Sequence, residues 1–153
     1  MNRSVWIGLV FFTFMLSSCS GDRLYEEFHP IEGDSWQVTD TLLYQIGPLG
    51  TEQKLDLIAI RYTDLYPYSN LYIRILMEDS IGKPLDNKLI NIPLFDTKSG
   101  RPYGKGFGST FIQYDTLPIQ FPKEASRIRV VQYMRKEEVA GIEAVGIKIV
   151  KIN

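Results

Sequence analysis

The sequence runs to 153 residues, with 17 basic and 18 acidic side chains, one histidine and one cysteine. That length suits one domain, and the near-neutral balance excludes the basic excess that nucleic-acid binding demands. A lone cysteine excludes an internal disulfide framework.

Residues 1–18 have the three-part layout of a secretory signal. Arg3 supplies a positive start, Val5 to Leu16 is an almost unbroken apolar run, and Ser17 and Ser18 lead into Cys19. The run is too short and wrongly flanked for an ordinary membrane span. Leu16-Ser17-Ser18-Cys19 resembles the lipobox of bacterial lipoproteins, in which sulfur takes a diacylglycerol before the peptidase cuts in front of the cysteine. Lipidation of Cys19 also accounts for an unpaired thiol in a chain that leaves the cytoplasm. Several acyl chains on one residue anchor durably, since each buried CH₂ contributes about 0.8 kcal/mol and one chain alone holds weakly.

Residues 19–33 are polar and broken by Gly21, Pro30 and Gly33, and read as a tether. The expected domain then spans 34–153. Leu55 to Tyr62 alternates with period two and carries apolar residues on both faces, as in a strand inside a sandwich. Asp64-Leu65-Tyr66-Pro67-Tyr68-Ser69 suits a turn. Asn70 to Met77 is a second strand, with Leu71, Ile73, Ile75 and Met77 on one side. Leu89 to Phe95 reads as an edge strand because Pro93 cannot donate to a ladder. Gly100 to Ser109 reads as a bulged or tight loop rich in glycine, followed by strand at Thr110 to Tyr114. Arg127 to Met134 and Glu143 to Val150 are strands, and the helix-prone Arg135 to Val139 is too short to stand alone. Regularly spaced strands with turn signals give an all-β chain, an antiparallel β-sandwich after a cleaved lipoprotein signal peptide.

Catalytic patterns are missing from the sequence. The single histidine, His29, falls in the expected tether, so neither a Ser-His-Asp triad nor a His-rich zinc site is expected. Lys105 follows Gly104 but precedes Gly106, so the glycine cluster fails the P-loop template. A dinucleotide loop fails too, because strand rather than helix follows. The aspartates are scattered, with no calcium-loop spacing. No cofactor, metal or enzymatic activity is expected. Nine tyrosines suit either recognition or half-buried sheet positions.

Four stretches in order carry a likeness to a known family. They are Ser35-Trp36; Ile60 to Leu71, with its Tyr-Pro-Tyr-Ser-Asn-Leu turn; Tyr103-Gly104-Lys105-Gly106-Phe107-Gly108; and Gln132-Tyr133-Met134-Arg135 followed by Val139 to Ile142 and Val145-Gly146-Ile147. Together they resemble the gliding-motility lipoprotein GldH family of the Bacteroidetes. The stretch before the second glycines, Lys98 to Pro102, departs from that pattern. The resemblance implies an envelope lipoprotein, linked to gliding and type IX secretion, with no catalytic residues to carry over. The expected role is a non-enzymatic accessory or scaffold component, lipid-anchored to the outer membrane and meeting other envelope proteins. Asp64, Tyr66, Tyr68, Asn70, Tyr103, Lys105 and Arg135 are the expected contact or turn-specifying residues. Asp64 and Asn70 could bond the backbone around Pro67, and Arg135 could pair with a carboxylate. The rival reading is a glycan-binding sandwich with stacked aromatics. Exposed coplanar tyrosines in a groove favour the rival, and an apolar patch favours a protein partner.

Overall fold

The computed structural model describes residues 22–50 and 52–152. The signal peptide and Cys19 lie outside the described residues. The described residues form eleven strands: β1 (Arg23–Pro30), β2 (Ser35–Gln37), β3 (Leu42–Gln45), β4 (Lys54–Thr63), β5 (Asn70–Glu78), β6 (Pro84–Pro93), β7 (Lys105–Phe107), β8 (Thr110–Thr116), β9 (Arg127–Gln132), β10 (Glu138–Ala140) and β11 (Ile142–Lys151). A five-stranded sheet has the order β1-β11-β4-β8-β7, a four-stranded sheet the order β3-β9-β5-β6, and β10 pairs with β2. Every pairing is antiparallel. The expected all-β sandwich is what the chain adopts. Among the described residues, no helix is long and apolar enough to cross a membrane.

Alternation builds the core. β4 sends Ile58, Ile60 and Tyr62 inward, β5 sends Leu71, Ile73, Ile75 and Met77, and β11 sends Val145, Ile147 and Ile149. Each such aliphatic side chain contributes about 1.5–3 kcal/mol when fully buried. The buried Tyr44 of β3 donates from its hydroxyl to the Val145 carbonyl at 2.8 Å, which ties the two sheets together across the core.

The outer face of the five-stranded sheet is covered without a further layer. Gly146 of β11 lies beneath the Phe28 ring, and a Cβ there would come within 2.6 Å of that ring. Arg61 lies over Phe28 at 5.9 Å, and Lys148 over Tyr114 at 5.5 Å. This packing buries Ala59 on the face opposite Ile58 and Ile60. The two-sided apolar pattern of β4 therefore reflects one core face and one face roofed by aromatic rings and cation stems.

Two expectations change. Residues 19–33 were expected as a tether, yet Arg23–Pro30 form edge strand β1 along β11. Backbone pairing and the partial burial of Tyr25 and Phe28 outweigh the polar composition, which reflects one solvent-facing edge. His29 is accordingly packed rather than solvated, edge-on to Tyr44 at 4.6 Å and 3.1 Å from the Glu27 carboxylate. The short Leu89 to Phe95 strand is longer, starting at Pro84, and it does lie at a sheet edge.

Candidate functional site

Five of the seven expected contact residues, Asp64, Tyr66, Tyr68, Asn70 and Arg135, lie where the β4–β5 turn meets the β9–β10 loop. Tyr66 is only 4% exposed, and its hydroxyl donates to the Asn70 carbonyl at 2.7 Å. Burial pushes its ionisation well above the ordinary tyrosine value, with Tyr68 adding a smaller push. A phenol so placed braces the turn from inside. Tyr68 packs edge-on against it at 5.7 Å and remains half-buried.

The turn is closed differently from the expected way. The Asn70 amide reaches across to Asn91 at 2.6 Å rather than to the backbone around Pro67. The Leu65 amide donates to the Thr63 hydroxyl at 3.3 Å, and the Asp64 amide to the Ser109 carbonyl at 3.0 Å. Gly141 supports the turn from below. It has φ +82°, and a Cβ there would lie 2.5 Å from the Tyr66 amide nitrogen.

The β9–β10 loop is held by a residue that sequence reading passed over. Gln132 is buried; its amide donates to the Lys136 carbonyl at 2.8 Å and its oxygen accepts from the Met134 amide at 2.8 Å. Both ends of the buried side chain are thereby satisfied within the loop. Arg135 sits at its apex with φ +58°. It makes no ion pair among the described residues, contrary to the expected carboxylate partner. The Met134 sulfur accepts from the Tyr72 amide at 3.1 Å and docks the loop on β5.

Between loop and sheet lies an open hollow of about 570 Å³, lined by Tyr68, Tyr72, Leu89, Tyr133, Met134 and Arg135. Leu89 is 51% exposed, and the Arg74 guanidinium stacks over the Tyr133 ring at 4.3 Å. Beside it lies the outer face of the four-stranded sheet. Arg74 pairs there with Leu89 on one side and Val131 on the other, and Leu76 with Arg129. Arg129 forms an ion pair with the buried carboxylate of Glu78. A second, shallower hollow of about 360 Å³ shares Tyr68 and includes Asp64, Tyr66 and Asp96.

Tyr103 and Lys105 belong to a neighbouring loop and edge. Tyr103 donates to the Asp96 carboxylate at 3.2 Å, a bond that raises its ionisation. Asp96 is held below the usual carboxylate range by the Ser99 amide at 2.7 Å and hydroxyl at 2.8 Å. Lys105 opens edge strand β7, exposed and opposite Ile112. The glycine-rich stretch is a tight loop only in part: Gly100 and Gly108 have positive φ, but Lys105–Phe107 form edge strand β7, and a Cβ on Gly106 would meet the Thr110 carbonyl oxygen of the neighbouring strand at 2.0 Å. No group of three or more His, Cys, Asp or Glu among the described residues could hold a metal ion.

A family model described as GldH lipoprotein matches residues 23–149. The chain belongs to the GldH lipoprotein family. The four sequence stretches thus point to the right family, and its match begins at the first residue of β1, where the tether had been expected. GldH membership implies a gliding-motility lipoprotein, anchored to a membrane by lipid; this is not a family of enzymes. No curated protein matches the sequence. Among solved structures, a chain from the crystal structure of accessory secretory protein 1,2 and 3 in Streptococcus pneumoniae is similar at 15% identity and a TM-score of 0.34. The similarity covers 90% of this chain and 93% of that one.

Proposed function

We propose that this GldH-family chain is a non-enzymatic accessory subunit, acylated at Cys19 and held on the outer membrane, whose Tyr72–Leu89–Tyr133 face docks another envelope protein. Ser20 directly after the cysteine carries no familiar inner-membrane retention signal, which supports outer-membrane sorting. The composition of the face carries the docking reading. Tyr72, Leu89, Tyr133 and Met134 form an apolar patch with Arg74, Arg129 and Arg135 among them, and tyrosine with arginine is the pairing enriched at protein hot spots.

The same geometry weighs against a glycan platform. Sugar stacking requires free ring faces, whereas one face of Tyr133 is taken by Arg74 and Tyr68 is turned edge-on to Tyr66. Gliding or type IX secretion components are the partners to look for, following the family.

The test is cross-linking and affinity purification from whole envelopes of the tagged protein, beside Cys19→Ala and Tyr133→Ala. Recovery of such components with the native form, reduced at least about tenfold by Tyr133→Ala, is the expected result; a central hot spot costs about 2 kcal/mol or more when truncated. Equal recovery with Tyr133→Ala would remove this face from the reading. Recovery of glycan alone would overturn the accessory role.

A further inference from the structure

The end of the sandwich from which the anchor emerges has a built character of its own. β1 begins at Arg23, and just before it the Asp22 carbonyl accepts from the Lys151 amide at 2.6 Å. The Ile152 amide in turn donates to the Gln53 carbonyl at 2.9 Å. The starts of β1 and β4 and the end of β11 are thereby tied at one place. From Cys19 to Asp22 there are three residue steps, a reach of about 11 Å even when fully extended. A lipidated Cys19 therefore holds this end, and no other, beside the bilayer surface.

That end carries an open hollow of about 500 Å³, with Gln53, Lys54, Gln120, Lys123 and Ile152 in its lining. Lys54 donates from Nζ to the Phe121 carbonyl at 2.9 Å. It gives up its proton more readily than an ordinary lysine, chiefly through burial and in part because Lys123 is close, although Asp56 acts in the opposite sense. The carboxylate in the lining, Glu52, is engaged by Lys151 at 3.4 Å. Two cations thus converge beside side-chain amides, in a hollow that faces the membrane, and an anion between them would relieve their repulsion.

We infer that this hollow seats a phospholipid headgroup of the bilayer, with its phosphate between Lys54 and Lys123, so that the domain stands on the membrane by this end. The opposite end of the five-stranded sheet, with Leu65 77% and Phe107 97% exposed, is then directed away from the membrane. The inference rests on acylation of Cys19.

The chain's one cysteine is consumed by acylation, so an added cysteine is the only reactive thiol of the lipidated protein. A fluorophore on Gln53→Cys or on Phe107→Cys, in vesicles of phosphatidylethanolamine and phosphatidylglycerol with a headgroup nitroxide, reports which end faces lipid. Quenching several-fold stronger at 53 than at 107 is expected. With Cys19→Ala mature protein, Lys123→Ala should weaken binding to the same vesicles about fivefold, as for one basic residue near an anionic surface. Lys123 is exposed, so this variant keeps the fold. Equal quenching at the two ends, or vesicle binding indifferent to Lys123, overturns the inference while acylation found by mass spectrometry keeps the anchor. Absence of acylation overturns both.

Discussion

At the scale of single residues, several polar side chains in the interior serve the loops. Tyr62 donates to the Leu94 carbonyl at 2.7 Å and accepts from the Gly104 amide at 3.1 Å, which fixes the approach to β7. Gln132 does the same for the β9–β10 loop. Asp56 is the strained member of this set. It is 2% exposed; one oxygen accepts from the Phe121 amide at 2.7 Å and the other is buried without a partner among the described residues. Burial raises its ionisation, against the opposing pull of the Phe121 amide and Lys54. A raised folded-state value means that the stability it contributes is full below the ordinary carboxylate range and is lost as pH rises through the folded value. Asp56→Asn should therefore gain on the native protein as pH rises from about 4 to 7. Urea midpoints of both forms across that range test this, and a constant difference would show that Asp56 ionises alike in both states.

At the scale of elements, β1 decides how the N-terminal part of the described chain behaves. Its polar sequence, with Glu26 and Glu27 beside Arg23, reads as linker because an edge strand shows water one row of backbone groups and half its side chains. The decisive residues are Tyr25 and Phe28. Tyr25 packs against the core and bonds the Glu27 carboxylate, and Phe28 roofs Gly146. A mature chain starting at Ile31 should lose about 1.5–3 kcal/mol, the scale of one fully buried side chain, since Tyr25 and Phe28 are each half-buried. It should also self-associate through the bared edge of β11, whose Val145, Ile147 and Ile149 form a strongly apolar strand. Denaturant unfolding and size-exclusion chromatography check both effects. Unchanged stability would return this stretch to the status of a tether.

At the scale of the whole molecule, one core is shared by both sheets and by the β2–β10 pair, through the fully buried Trp36. Trp36 donates from Nε1 to the Asp40 carbonyl at 3.1 Å and lies opposite Val139 in the β2–β10 ladder. Outside residues 1–18 it is the chain's single tryptophan. Its fluorescence should unfold together with the far-UV circular dichroism of the strands, in one transition. An earlier Trp36 transition would mark β2–β10 as a separately melting flap.

What the sequence determined by itself is what local pattern encodes. Alternation in Leu55 to Tyr62, Asn70 to Met77 and Glu143 to Val150 specifies strands and their buried faces, because the period of two follows from the pleat alone. Pro93 marked an edge strand, and Gly100 and Gly108 the turns on either side of β7, for equally local reasons of backbone chemistry. The ordered motifs pointed to the family. Only the tertiary structure decided which polar residues act. Tyr66 went inward while Tyr72 and Tyr133 came to the surface, although all three have the same side chain. Asn70 found Asn91 because the pairing of β5 with β6 brought the two amides within reach, and Gln132 found Lys136 because the β9–β10 loop folds back over it. That the fold begins as early as Arg23 follows from β1 alongside β11, a contact between residues more than a hundred positions apart. Such a pairing is set by long-range burial and leaves no periodic trace in either segment.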